Sequence, residues 1–409
     1  MKKTLYQNAL RAGKHAARAL LWLAAAGMLG GLCGALGALF HKLIDLATQC
    51  REANAWLLWL LPLGGLVTLL CYRLCKVRFD AGTNLIITSV TTNEAVPAAL
   101  APLIVVGTTL SHLLGASVGR EGAALQLGGS VGHNVGKLLR LRAEDVRLCA
   151  MCGMAACFSA MFGAPLTACV FVLEVICVGK MSYHALLPCL AASCAAFMTA
   201  TALGAEPMRF ELAAAPEIHW LVLARVAALA ALCALVGVAL CFGLEKGSHL
   251  AKKYVPNAYA RIALGGLVMA AVVAAFGLYD YAGAGAQVIV RAVGGQADPW
   301  AAPLKLCLTV LCVAAGFRGG EIVPTLYIGA TFGCAVGPLL GLEPGFAAGL
   351  GMIALFCAAV NCPMASLFLA AELFGTHQLV PFAVAVAVTF ALSGRFGLYE
   401  SQVYRLQEE

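Results

Sequence analysis

Gly153-Met154-Ala155-Ala156-Cys157-Phe158-Ser159-Ala160-Met161-Phe162-Gly163-Ala164-Pro165 returns 198 positions later as Gly351-Met352-Ile353-Ala354-Leu355-Phe356-Cys357-Ala358-Ala359-Val360-Asn361-Cys362-Pro363. The match holds its register beyond the prolines, from Pro165 to Glu174 and from Pro363 to Glu372. A second echo pairs Gly128, Gly132 and Gly136 with Gly329, Gly333 and Gly337 at an offset of 201, so a few inserted residues separate the two repeats. The chain therefore consists of two related halves, about 19–205 and 215–409. Glycines at every fourth position form a close-packing helix face.

The solvent for these halves follows from composition. The chain has 409 residues, of which 62% are hydrophobic and 11% charged, against about 25% charged in ordinary soluble proteins. So few charges cannot cover a water-exposed surface, and 19–40 and 56–71 are almost continuously apolar. Roughly 20 apolar residues span a bilayer of about 30 Å as a helix. Residues 1–18 are basic (Lys2, Lys3, Arg11, Lys14, Arg18) and precede an apolar run too long for a signal peptide. They are read as a cytoplasmic N-terminus ahead of an uncleaved first span, a removed signal being the alternative. Arg140, Arg142 and Arg147, then Lys246, Lys252 and Lys253, read as short cytoplasmic loops and exclude no membrane role; no basic domain marks a nucleic-acid partner. The 18 cysteines are scattered through apolar runs, and Cys149-x-x-Cys152 lacks a second pair, so they read as packing residues and not as a metal site.

Full-length spans are expected over 20–50, 56–75, 220–244 and 262–279. Shorter, Gly- and Pro-punctuated runs cover 97–114, 122–139, 165–178, 283–293, 324–340 and 363–374. These read as half-helices and tilted helices ending inside the protein. In transporters built this way the binding site lies at the repeat interface near the membrane midplane. Residues 19–409 form a single transport domain.

Charges inside a bilayer cost on the order of 2.5–3.5 kcal/mol by insertion scales and point to function. Among the acidic residues, Glu121, Glu174, Glu321 and Glu372 lie within apolar segments, as two pseudo-equivalent pairs. Glu121, in Gly119-Arg120-Glu121-Gly122, starts the glycine-rich helix. A helix N-terminus binds anions through free N–H groups. A carboxylate there can occupy the anion site when ionised and swing away when protonated, coupling a proton to anion movement; a structural Arg120–Glu121 ion pair is the alternative. Glu321, in Gly319-Gly320-Glu321-Ile322-Val323-Pro324, heads the matching half-helix, with Pro324 suited to its first turn. Glu174 and Glu372 lie nine residues into their helices, where hydrogen bonding to a neighbouring helix end is the expected role. His41, His112, His133 and His377 show no ligand spacing, and neither a Walker loop nor an HExxH zinc motif occurs.

Gly119-Arg120-Glu121-Gly122, Gly319-Gly320-x-x-x-Pro324 and Ala164-Pro165-Leu166 followed by Glu174 resemble the CLC chloride channels and proton-coupled anion antiporters, over roughly 19–404. The resemblance implies an all-α integral membrane protein of two inverted-topology repeats, a homodimer with one pathway per subunit, and Glu121 as the external gating glutamate. The helices after Pro165 and Pro363, and 186–202, are candidates for the dimer interface.

The departures narrow the branch. The family's chloride-binding Gly-Ser-Gly-Ile-Pro has no copy; Gly82-Thr83-Asn84-Leu85 stands in its place. Gly-Ile-Phe-x-Pro is replaced by Gly320-Glu321-Ile322-Val323-Pro324, and Val175 falls where chloride antiporters carry an internal proton-transfer glutamate. Together these resemble the fluoride/proton antiporter branch. In that branch a glutamate in the second-half motif is characteristic and a tyrosine matched by Tyr399 is the inner gate. With Val175 at the usual inner proton position, Glu321 is the remaining carboxylate for an inner proton and fluoride role, and Gly82, Thr83, Asn84, Arg120, Gly122, Gly320, Ile322 and Tyr399 are the expected anion-binding residues. An interfacial aromatic belt is the alternative place for Tyr399. The expected function is proton-coupled fluoride export across a bacterial-type inner membrane, with fluoride and protons as the partners and no cofactor. The alternatives are a chloride-type antiporter or channel and, from another class, an intramembrane enzyme, for which no nucleophile–base or metal constellation can be assembled.

Overall fold

The computed structural model describes residues 2–79, 82–92, 94–212 and 216–404, with side chains from Arg18 onward. The side chains of Lys2, Lys3, Arg11 and Lys14, and the chain end at Glu409, lie outside the described residues. Among the described residues, sixteen α-helices fall into two series of eight. The first is α1 (Lys2–Ala53), α2 (Leu61–Leu74), α3 (Gly82–Thr92), α4 (Leu100–Leu113), α5 (Glu121–Leu138), α6 (Ala143–Phe162), α7 (Pro165–Val175) and α8 (Leu186–Ala202). The second is α9 (Trp220–Tyr254), α10 (Ala258–Phe276), α11 (Ala286–Val293), α12 (Ala301–Ala315), α13 (Ile322–Val336), α14 (Pro344–Val360), α15 (Pro363–Phe374) and α16 (Leu379–Ser393). Seven helical stretches among the described residues are long and apolar enough to cross a membrane. The basic N-terminal segment continues into α1 without a break, making one helix of 52 residues.

The quoted repeat explains itself in this frame. Gly163 and Asn361 end α6 and α14 in the left-handed conformation (φ 71° and 54°), and Pro165 and Pro363 open the next helices. Left-handed caps stop helices, and proline at the first position starts them without losing a hydrogen bond. α6 and α14 are buried along almost their whole length, each pressed against a glycine-faced partner. A Cβ on Gly128 or Gly132 would overlap the carbonyls of Gly153 or Cys149; one on Gly329 or Gly333 would overlap those of Gly351 or Ala347. The sequence expectations fall short at α6. This helix is 20 residues long and span-like, but Glu144, Asp145 and Arg147 in its first turns keep it out of an expectation based on unbroken apolar runs.

Glu174 and Glu372 tie the halves together reciprocally. Glu372 accepts from the Leu166 and Thr167 N–H groups (2.9 and 2.8 Å) and from the Thr167 hydroxyl (2.6 Å), at the start of α7. Glu174 accepts from the Met364 and Ala365 N–H groups (3.1 and 2.9 Å), at the start of α15. Each carboxylate thus satisfies orphan donors of the opposite half's helix. The segments before α5 and α13 meet directly: Gly119 N–H donates to Gly320 O (2.6 Å) and Gly320 N–H to Gly119 O (2.7 Å), as an isolated antiparallel bridge. After α16 the chain returns as a strap. Leu398 N–H donates to Ala359 O (2.8 Å), Asn361 Nδ2 to Phe396 O (2.8 Å), and a short parallel ladder joins β1 (Cys177–Val178) to β2 (Val403–Tyr404).

Two outcomes test this architecture. Glu372→Ala strands three donors and should destabilise the protein by about 2 kcal/mol or more, read as a lower Tm in detergent; an unchanged Tm contradicts the capping role. Gly320→Ala would drive a Cβ onto the Gly122 backbone, 2.9 Å from its Cα, so loss of a monodisperse, thermally stable protein is expected. Wild-type elution and Tm would show that the bridge is not required.

Candidate functional site: two carboxylates back to back

The Gly119–Gly320 bridge brings the N-termini of α5 and α13 together, so their first N–H groups converge at one place in the molecule. Two cavities approach it from opposite sides. One, of about 570 Å³, is lined by Arg51 and Glu52 at the C-terminal end of α1 and reaches Arg120 and Glu121. The other, of about 260 Å³, is lined by Glu245, Ser248 and Lys252 near the end of α9 and reaches Thr83, Glu321 and Tyr399. Corresponding helix ends of the two halves therefore face opposite cavities, as inverted repeats require. We name the first the outer cavity and the second the inner one, following the cytoplasmic N-terminus that the basic residues lead one to expect.

Glu121 is the first residue of α5 and is fully buried. Its carboxylate accepts from its neighbour's backbone, Arg120 N–H (3.1 Å), and from Arg120 Nε (3.4 Å). Arg120 Nη1 donates to Asp45 Oδ1 (3.0 Å), and Asp45 Oδ2 pairs with His41 Nε2 (2.9 Å). The Arg120–Glu121 ion pair weighed as an alternative is thus present, as the last link of a chain from α1. Asp45 escaped the sequence reading, which saw no ligand spacing at His41. Their signal was an i, i+4 His–Asp spacing inside the first apolar helix, which brings the two side chains onto one face.

On the inner side Glu321 occupies the position just before α13, its side chain making no hydrogen bond to the helix start. A Cβ at Gly122 would lie 3.5 Å from Glu321 Oε2 and 3.7 Å from Thr83 Oγ1. Gly122 therefore sits between that carboxylate and that hydroxyl, and its lack of a side chain keeps the space open. Gly82, Thr83, Asn84, Glu321 and Tyr399 all border the inner cavity. Asn84 Oδ1 accepts from the Ser401 N–H (3.3 Å), which ties α3 to the strap. Tyr399 is 3% exposed. Its hydroxyl has no hydrogen-bond partner among the described residues. A buried hydroxyl without a partner is costly, which marks Tyr399 as a position needing explanation.

The expected set is therefore divided. Arg120 belongs to the outer cavity with Glu121, Gly122 and Gly320 form the neck between the cavities, and Ile322 is the buried first residue of α13. Val175 ends α7, fully buried and next to β1.

Two further residues were missed. Gln126 on α5 lines the inner cavity and donates from Nε2 to Thr83 Oγ1 (3.0 Å). Lys305 on α12 is fully buried, donating to the Tyr281 and Gly283 carbonyls (3.0 and 2.6 Å), with its ammonium 5.0 Å from the Tyr327 ring centroid. Sorting the acids alone passed over this buried lysine within an apolar helix, which the same cost argument would have singled out.

Comparison with known proteins agrees with this geometry. Residues 63–394 match the family model described as voltage gated chloride channel. The chain is 38% identical over 389 residues to a chloride/fluoride channel protein of Pseudomonas syringae pv. tomato, covering 93% of this chain and 86% of that protein. It is 29% identical over 316 residues to the H(+)/Cl(-) exchange transporter ClcA of Vibrio cholerae, covering 71% of this chain and 66% of the exchanger. The crystal structure of a CLC-type fluoride/proton antiporter superposes with a TM-score of 0.91 at 31% identity, covering 94% of this chain and 98% of that one. A slow cyanobacterial Cl-/H+ antiporter shares the fold, with a TM-score of 0.79 at 23% identity over 91% and 94% of the two chains. With the repeat, the paired half-helices and these matches in agreement, the chain is a multi-pass membrane protein of the CLC family of anion channels and transporters, most similar to its fluoride/proton antiporter branch.

Proposed function

We propose that this protein is a proton-coupled fluoride exporter, exchanging fluoride for protons, and not an enzyme. The observation that carries the reading is the pair of carboxylates at the bridged helix starts: Glu121 opens on the outer cavity and Glu321 on the inner one. A fluoride/proton antiporter with 31% identity and a nearly coincident fold supports the choice of anion.

In this mechanism Glu121 takes a proton from the outer cavity, loses its charge-assisted bond to Arg120 and moves aside. Asp45 keeps Arg120 in place, so the outer end of the path retains its cation. Fluoride arrives from the inner cavity past Tyr399 and Glu321. It is small and tightly hydrated, so leaving water requires close donors in exchange. The Thr83 and Tyr399 hydroxyls, the amide of Asn84 and the N–H groups of Gly122 and Ile322 supply them, the Gly320 N–H being held by Gly119 O. The proton then passes inward to Glu321, the carboxylate on the inner side of the neck, while fluoride leaves outward. The same reading makes the protein a homodimer in a bacterial-type inner membrane, with α7, α8 and α15 as the interface. Exposed Leu186, Leu187, Met198 and Met364 on these helices support it.

Substitutions separate the roles. Glu121→Gln imitates the protonated side chain and cannot release a proton, so fluoride-driven proton movement in proteoliposomes should vanish. Glu321→Ala should abolish coupled exchange in a folded protein. Glu174→Gln, which alters a helix cap, should reduce transport less. Wild-type coupling in Glu121→Gln removes Glu121 as the gate. A fully active Glu321→Ala beside a dead Glu174→Gln assigns the inner proton step to the other glutamate.

A further inference from the structure

Gln126 lies five residues beyond Glu121 on α5 and is 6% exposed, with its side chain on the wall of the inner cavity. We propose that Gln126 is a positioning residue, fixing the direction in which the Thr83 hydroxyl donates so that its proton points at the transported anion. The inference rests on the reading above for the nature of that anion.

A threonine hydroxyl has one proton and two lone pairs, whereas an amide nitrogen only donates. The 3.0 Å contact from Gln126 Nε2 therefore consumes a lone pair of Thr83 Oγ1 and leaves its proton for another acceptor. The one recorded among the described residues is Gly122 O at 3.5 Å, the outer limit of a hydrogen bond. That carbonyl also stands four residues before Gln126 in α5, where it is the helix acceptor for the Gln126 N–H. Gln126 thus engages both oxygens, its backbone on Gly122 O and its side chain on Thr83 Oγ1. The hydroxyl proton is left facing the space between Thr83, Gly122 and Glu321 through which the anion passes. An anion entering there accepts a bond already oriented toward it, at no cost of turning the hydroxyl first.

The test is a double-substitution cycle on fluoride efflux from proteoliposomes, with KM and kcat measured separately. Gln126→Met keeps the volume and removes the donor; Thr83→Val removes the hydroxyl. Each should raise the fluoride KM several-fold, with a smaller change in kcat. Gln126→Met in the Thr83→Val background should raise it no further, because the amide then has nothing to orient. Gln126→Asn retains an amide that falls one methylene short of Thr83, so it should behave like Gln126→Met; it carries the cycle if the methionine variant does not fold. An unchanged KM in Gln126→Asn, or KM increases that multiply in the double variant, would overturn the proposal. Wild-type vesicles that carry chloride instead of fluoride would defeat the fluoride reading alone, and the same cycle on the chloride KM would then decide the role of Gln126. Vesicles carrying neither halide would defeat both.

Discussion

Two hydrogen bonds between Gly119 and Gly320 join the halves at the point where both glycine-rich helices begin. The residues of the proposed anion path at these helix starts are placed by this contact. It sets α5 and α13 head to head, so two partial positive ends share one neck. It also leaves the residue after Arg120 and the residue after Gly320 as the only carboxylates at those helix starts. The contact admits no side chains. A Cβ on Gly119 would stand 2.9 Å from the Pro324 ring, and one on Gly122 would stand 2.9 Å from Gly320 Cα. A neck lined by backbone offers N–H donors without a fixed full charge, which suits an ion that must leave as readily as it arrives.

Several of the buried charges have specified partners. Glu174 and Glu372 cap helices of the opposite half. Arg120 bridges Asp45 and Glu121. Lys305 is held by two carbonyls of the segment lining the outer cavity and by an aromatic face. The Arg318 guanidinium lies 3.9 Å from the Phe79 ring centroid and 4.6 Å from that of Tyr72, two residues before Gly320. Partners of this kind offset desolvation and also fix the loops from which Glu121 and Glu321 project.

The repeat was legible because close helix packing writes itself into sequence: small residues at every fourth position, a left-handed stop, a proline start. The helix-heading positions of Glu121 and Glu321 followed from the same punctuation, and the capping role of Glu174 and Glu372 from their depth. What stayed hidden was every partner distant along the chain. Nothing local to Asp45 says that Arg120, 75 residues later, will reach it. Nothing near Gln126 points to Thr83, and the division of the expected anion-binding residues between two cavities depends on how the halves dock. The apolar-run criterion also failed where charges cluster in the first turns of a span, as in α6.

On the proposed function the two carboxylates couple protons to a small anion moving the other way, and the wild-type protein tests this directly. In proteoliposomes loaded with fluoride, an outward fluoride gradient should drive protons inward, even against an opposing pH gradient. The same gradient of chloride should drive at least about tenfold less, equivalent to about 1.4 kcal/mol of discrimination. Fluoride efflux without proton uptake, or equal proton uptake with either halide, would contradict the account.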